Sequence, residues 1–147
     1  MNDYKNGKPI LYIDMDDTIC LFTEAFNRAI ARNPEQAYPQ SSVGFFRNLE
    51  PMDNAVAAIG LLEDVYDVWI LTRPSVQNPN CYTEKREWIE KYLGFEMCKH
   101  LMIVPDKTMV QKGILIDDKP WEGFNGEVIQ IGTDQYPDWK SILDRLL

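Results

Sequence analysis

The sequence is poor in histidine and cysteine, short of positive charge, and lacks any long apolar run. Its single histidine, His100, offers nothing like a Cys-His nucleophile pair and is read as a surface residue. Cys20, Cys81 and Cys98 are odd in number, far apart and outside any Cys-x-x-Cys pattern, which excludes a disulfide framework and a zinc site and leaves reduced thiols. Fifteen Lys and Arg against 23 Asp and Glu give a formal charge of -8, which works against long-range attraction to a nucleic-acid backbone. No nucleic-acid polymer is expected as partner. A small anion stays open, because a few local donors and a divalent cation can hold one phosphate inside an acidic protein. The start, from Met1 to Pro9, carries Asp3, Lys5 and Lys8 without an apolar run, and so reads as neither a secretory signal nor a membrane anchor. A cytoplasmic protein with no membrane partner is the expectation.

What is present is the material of one globular domain. A chain of 147 residues, 45% hydrophobic and 26% charged, can bury a core but has little left for a second one. Short apolar runs recur at Ile10-Leu11-Tyr12-Ile13, Val68-Trp69-Ile70-Leu71, Leu101-Met102-Ile103-Val104, Ile114-Leu115-Ile116 and Val128-Ile129-Gln130-Ile131. Runs of this length read as buried strands of a parallel sheet, and the stretches between most of them leave room for crossovers. The prediction is an α/β domain, doubly wound, with about five parallel strands and helices on both faces. Asp53 is the expected N-cap of a helix over 55–62, Thr83 that of a helix ending at Gly94, and Asp138 that of a helix with a Trp139, Ile142, Leu143, Leu146 stripe. Residues 21–50 break the rhythm and are read as a small, partly helical cap inserted after the first strand, within a single 1–147 domain.

The chemistry concentrates at strand ends. Asp14-Met15-Asp16-Asp17 places three carboxylates in four positions directly after the first strand, a crowding of like charge that requires a compensating cation or proton. Spacing i, i+2 puts Asp14 and Asp16 on one side of an extended backbone. Asp117-Asp118 ends the fourth run, Thr72-Arg73 the second, and Asp106-Lys107-Thr108 follows the third. In an open parallel sheet ligands bind beyond the carboxyl ends of the strands, so carboxylates, a hydroxyl and an ammonium can converge there on a phosphoryl group. Because neighbours on a strand point oppositely, Asp117 is assigned to a metal and Asp118 to a supporting role.

Asp14-x-Asp16-x-Thr18, Thr72, Lys107 and Asp117-Asp118 stand in the order of the four motifs of the haloacid dehalogenase (HAD) superfamily of phosphatases, which the chain resembles. Within it, the chain looks like the 5'(3')-deoxyribonucleotidases. That closer similarity rests on Phe45-Phe46-Arg47-Asn48-Leu49-Glu50-Pro51, on Glu84-Lys85 with Trp88-Ile89-Glu90-Lys91-Tyr92, on Asp106-Lys107-Thr108 ten positions before Asp117-Asp118-Lys119-Pro120, and on Asp138 to Leu143. The resemblance implies a Rossmann-like fold, Asp14 as nucleophile through an aspartyl-phosphate, and Asp16 as proton donor and acceptor. It further implies Mg²⁺ held by Asp14, the carbonyl of Asp16 and Asp117, with Thr72 and Lys107 on the phosphoryl oxygens. Arg73 departs from the small hydroxyl residue expected after the motif threonine; it is read either as a substrate contact or as a partner of Glu24 or Glu50.

Phe22 and then Phe46 are the candidates for a wall against a nucleobase. The preferred substrate is a nucleoside monophosphate, with another small phosphomonoester as the alternative and a receiver-type phospho-Asp signalling module as the rival from a different class. A homo-oligomer is compatible with the sequence, which fixes no oligomeric state.

Overall fold

The five apolar runs all pair as parallel strands of one sheet. The computed structural model describes residues 3–147, so that Met1 and Asn2, part of the start read above, lie outside the described residues. The elements are β1 (Tyr4–Lys5), β2 (Lys8–Ile13), α1 (Phe22–Arg32), a 3-10 turn (Pro39–Ser41), α2 (Ala55–Leu62), β3 (Asp67–Thr72), α3 (Cys81–Leu93) and α4 (Phe95–Cys98). They continue with β4 (Leu101–Ile103), a second 3-10 turn (Lys107–Met109), β5 (Ile114–Asp117), β6 (Glu127–Gln130) and α5 (Trp139–Leu146). Among the described residues no helix is long and apolar enough to cross a membrane.

β2 lies at the centre, and the chain first builds outward through β3 and β4, then returns to build β5 and β6 on the other side. The reversal makes the gap between β2 and β5 the topological switch point, where open α/β sheets bind ligands. Register places the chemistry there: Ile13 pairs with Ile116, so Asp14 and Asp117 follow side by side, and the Asp14 N–H still donates to the Ile116 carbonyl at 2.9 Å.

One face of the sheet carries the main core. Leu11, Ile13, Val68, Ile70, Ile116 and Ile129 pack with Ile59 and Leu62 of α2, Trp88 and Ile89 of α3, and Trp139 and Ile142 of α5. Each such side chain contributes roughly 1.5–3 kcal/mol on burial. The helical cover is uneven. Right-handed crossovers that run in the return direction pass over the opposite face, and there residues 104–113 and 118–126 contribute only the second 3-10 turn and loops. Tyr12 and Trp69 on that face stay partly exposed.

Several local expectations shift. β1 was not anticipated; Asn6 and Gly7, at φ 53° and 78°, form the left-handed two-residue turn that Asn-Gly favours and fold β1 antiparallel onto β2. α2 is preceded by Asn54 at φ 66° with no side-chain cap, where Asp53 was expected, because the Ala55 N–H is already taken by the Met52 carbonyl at 3.1 Å. α3 starts at Cys81, ahead of Thr83: the buried Asn78 accepts from the Asn80 N–H at 2.9 Å and starts the turn early. Gly94 ends α3 at φ 95°, and Asp138 caps α5 in a reciprocal box with Ser141.

Residues 21–50 leave and rejoin the sheet at one neck. Cys20 bridges antiparallel to Pro51, and the Leu21 N–H donates to the Glu50 carbonyl at 2.9 Å.

Replacing Asp138 by Ala removes the acceptor for the Ser141 N–H at 2.9 Å. Loss of such a cap costs about 1 kcal/mol, to be read as a lower urea midpoint at unchanged slope.

Candidate active site

The loop after β2 is a tight turn built on one carbonyl. The N–H groups of Thr18, Ile19 and Cys20 all donate to the Met15 carbonyl, at 3.1, 2.9 and 3.2 Å. This curls the loop so that Asp14, Asp16 and Asp17 line one pocket with Phe22, Thr72, Arg73, Lys107, Asp117, Asp118 and Lys119. From below, the buried indole of Trp139 donates to the Thr18 carbonyl at 2.8 Å, so α5 pins the turn that carries the carboxylates.

Asp14 is 7% exposed, and each of its oxygens has its own donor: Lys107 Nζ at 2.5 Å on Oδ1 and Thr18 Oγ1 at 3.1 Å on Oδ2. Lys107 also donates to Asp117 Oδ2 at 3.0 Å and so bridges the two strand ends. The lysine is held in place by the second 3-10 turn, where Asp106 accepts from the Thr108 N–H and hydroxyl at 2.9 and 2.6 Å.

Asp14, Asp117 and Asp118 bring one oxygen each within 4.8 Å of one another. Asp118, expected only to support, joins this cluster because β5 ends at Asp117 and strand alternation no longer governs the next side chain. The Lys119 N–H donates back to Asp117 Oδ1 at 2.9 Å and closes the turn. Burial and the Asp14 charge push the Asp117 carboxyl up, with Lys107 opposing. Burial, followed by Asp14 beside it, pushes Asp118 up to about 8. Such carboxyls signal a site short of positive charge, and three hard oxygen donors suit a small divalent cation.

Asp16 is set differently. Its Oδ2 accepts from Lys85 Nζ at 3.1 Å, and that ammonium also donates to Thr72 Oγ1 at 2.5 Å and to the Arg73 carbonyl at 2.7 Å. Lys85 is fully buried and all three of its protons are used. Thr72 Oγ1 accepts from Lys85, and its own O–H donates to the Arg73 carbonyl at a long 3.4 Å. Sequence reasoning gave Lys85 no role; nothing in its helical setting marks a lysine as buried, and the only signal was the Glu84-Lys85 pair in the family-like stretch. Asp17, at φ 59°, serves α1: it accepts from the Thr23 N–H and hydroxyl at 2.9 and 2.6 Å.

Phe22 reaches the pocket; Phe46 does not. Phe46 is 1% exposed and stands behind Phe22, centroids 5.9 Å apart, with Phe45 at 5.2 Å from Phe46. Arg73 lines the pocket with an exposed side chain and forms no ion pair with Glu24 or Glu50 among the described residues. Glu24 is paired with Arg28 at 2.6 Å.

The family model for the "5' nucleotidase, deoxy (Pyrimidine), cytosolic type C protein" matches residues 36–136. A protein of Vibrio phage KVP40 assigned as a 5'(3')-deoxyribonucleotidase is 35% identical over 97% of this chain and 86% of its own. The chain belongs to the 5'(3')-deoxyribonucleotidase family. The human cytosolic 5'(3')-deoxyribonucleotidase is 34% identical over 77% of this chain but only 55% of its own length, so the chain spans about half of that relative. Among solved structures, the HAD-hydrolase YfnB of Bacillus subtilis, determined with magnesium bound, superposes with TM-score 0.55 over 89% of this chain and 90% of its own at 13% identity, a likeness of fold. The family is one of phosphatases, and the parallel sheet flanked by helices is the HAD one.

A carboxyl raised in the folded state stabilises the fold below its unfolded value, and that contribution is lost as pH rises through the folded one. From the ordinary 3.8 to about 8 for Asp118, the cation-free protein of this deoxyribonucleotidase family member is expected to lose thermal stability as pH rises. A divalent cation should restore more of it at pH 8 than at pH 5. Melting curves in chelator and in excess Mg²⁺ check this; a midpoint indifferent to Mg²⁺ at pH 8 would argue against an ion in the cluster.

Proposed function

We propose that the protein is a magnesium-dependent phosphomonoesterase that hydrolyses nucleoside monophosphates, of deoxyribonucleotides above all, to nucleoside and inorganic phosphate in the cytoplasm. The observation that carries this reading is the convergence of a doubly held Asp14 with Asp16, Thr72 and Lys107 beside a carboxylate trio at the switch point. The names of the phage and human relatives support the substrate class.

Asp14 attacks phosphorus, a P–O bond to its carboxylate forms, and the ester P–O bond breaks. Asp16, on the pocket side of the Lys85 tie, gives its proton to the departing ester oxygen, which leaves as the nucleoside hydroxyl. In the second step Asp16 takes a proton from water, whose oxygen attacks the aspartyl-phosphate, releasing inorganic phosphate and restoring Asp14. Lys107 and the Thr72 hydroxyl donate to the non-bridging oxygens as charge spreads over them. The oxygen donors fit Mg²⁺, which Asp14, Asp117 and Asp118, with the Asp16 carbonyl, would hold; bound there, it supplies positive charge to the phosphoryl oxygens. Phe22, at the mouth of the pocket, is the surface on which a base stacks, and the 21–50 segment is the cap that carries it.

Phosphate release with Mg²⁺ across 5'- and 3'-monophosphates, ribo and deoxy, beside sugar phosphates and an aryl phosphate tests the substrate class. Deoxyribonucleotides should lead, and comparable rates throughout would sink nucleotide specificity. Asp14→Asn should abolish turnover in a protein that melts normally; an active, folded variant would refute the nucleophile. Lys85→Met frees Asp16 and Thr72 together and should lower kcat by at least about tenfold, part of the roughly 10²–10⁴-fold that a general acid contributes.

A further inference from the structure

The geometry points to Glu84 as the residue that positions the nucleobase wall and so sets nucleotide selectivity, an inference that rests on the phosphomonoesterase reading above. Glu84 is a fully buried carboxylate in the first turn of α3 and does not line the pocket. Its two oxygens accept from three backbone N–H groups of the cap: Gly44 at 2.8 Å on Oε2, and Phe46 at 3.1 Å and Arg47 at 3.3 Å on Oε1. A buried carboxylate is strongly disfavoured without compensation, and charge-assisted bonds to backbone N–H groups supply it. The 44–47 turn is therefore held to α3 by a charge that has no alternative partner among the described residues.

That turn is what stands behind Phe22. Its Phe46 ring lies 5.9 Å from Phe22, Phe45 lies 5.5 Å from Phe22, and Phe22 alone of the three lines the pocket. Gly44, at φ 88°, lets the turn bend toward the carboxylate. Further ties run between the same two segments: the Trp88 indole donates to the Leu49 carbonyl at 2.8 Å, and Arg47 forms a forked pair with Glu87 at 2.9 and 3.2 Å. The next residue after Glu84 is Lys85, whose ammonium holds Asp16 and Thr72 and lies 5.3 Å from the Phe46 ring centroid. One dipeptide on one helical turn thus sets the distance between the base-stacking surface and the proton-transfer carboxylate. The wall is preformed, and the selectivity for a leaving nucleoside that carries an aromatic base is built into the resting protein.

The test compares full-length wild type and Glu84→Gln on deoxyribonucleoside 5'-monophosphate and on deoxyribose 5-phosphate, which shares the ester but lacks the base. Glutamine keeps the shape but turns an acceptor oxygen into an NH₂ that faces backbone donors. The ratio of kcat/KM for nucleotide over sugar phosphate should fall at least about fivefold, through KM of the nucleotide, with Glu84→Asp partly restoring it and Phe22→Ala giving the same selective loss. Equal losses on both substrates would make Glu84 a merely structural residue and overturn the inference, as would an unchanged ratio. If Glu84→Gln does not fold, Phe46→Leu, which keeps an apolar group behind Phe22 but shortens it, must lower the same ratio, and failure to do so overturns the inference equally. Absence of phosphate release from either substrate by wild type would instead refute the underlying reading.

Discussion

The whole active end of the molecule depends on how the repulsion among Asp14, Asp117 and Asp118 is met. The β2–β5 register forces Asp14 and Asp117 together, since Ile13 and Ile116 pair directly before them. Buried carboxylates so close are unfavourable unless a cation lies between them. Lys107 is that cation within the chain, itself 4% exposed and bonded to both. One ammonium does not balance three carboxylates, and burial first, with the Asp14 charge after it, raises Asp117 and Asp118. The protein holds at its switch point an electrostatic deficit that a divalent cation would fill, and the surrounding structure keeps that deficit from relaxing. Thr18 fixes one Asp14 oxygen, Trp139 fixes Thr18, and Trp139 is part of the main core.

The sequence made the sheet and the phosphoryl groups legible because both obey short-range rules. Apolar runs of three or four residues mark strands, and acids placed directly after them have only the carboxyl end of the sheet to occupy. Asp14, Asp16, Thr72, Lys107 and Asp117 accordingly line one pocket. Lys85 and Glu84 were illegible as buried groups because a charged pair in a helix reads by default as a solvated face, and only tertiary contacts 40 and 69 residues distant in sequence make it interior. Phe46 was misplaced for the converse reason. An adjacent aromatic pair in a turn gives no indication of which ring faces in, and the backbone bonds to Glu84 orient Phe46 inward. The early start of α3 came from Asn78, a side chain five residues before the expected cap Thr83.

Two kinds of rigidity meet on α3. The groups proposed to act on phosphorus stand on strand ends or just past them, positioned by the ladder of a buried parallel sheet. The groups proposed to meet the rest of the substrate stand on a segment that leaves the sheet at Cys20 and returns at Pro51, and no residue of α1 is fully buried. A segment so thinly packed cannot position an aromatic ring by its own core. It borrows its placement instead: Asn78 reaches the Gln40 carbonyl, Glu84 the 44–47 turn and Trp88 the Leu49 carbonyl, along successive turns leading into and through α3. The same helix places Lys85 against Asp16 and Thr72. Because α3 packs its Trp88 and Ile89 into the core under the sheet, a displacement large enough to move the base wall would have to disturb that core as well. On the proposed function, chemistry and substrate recognition would therefore be coupled through the packing of α3.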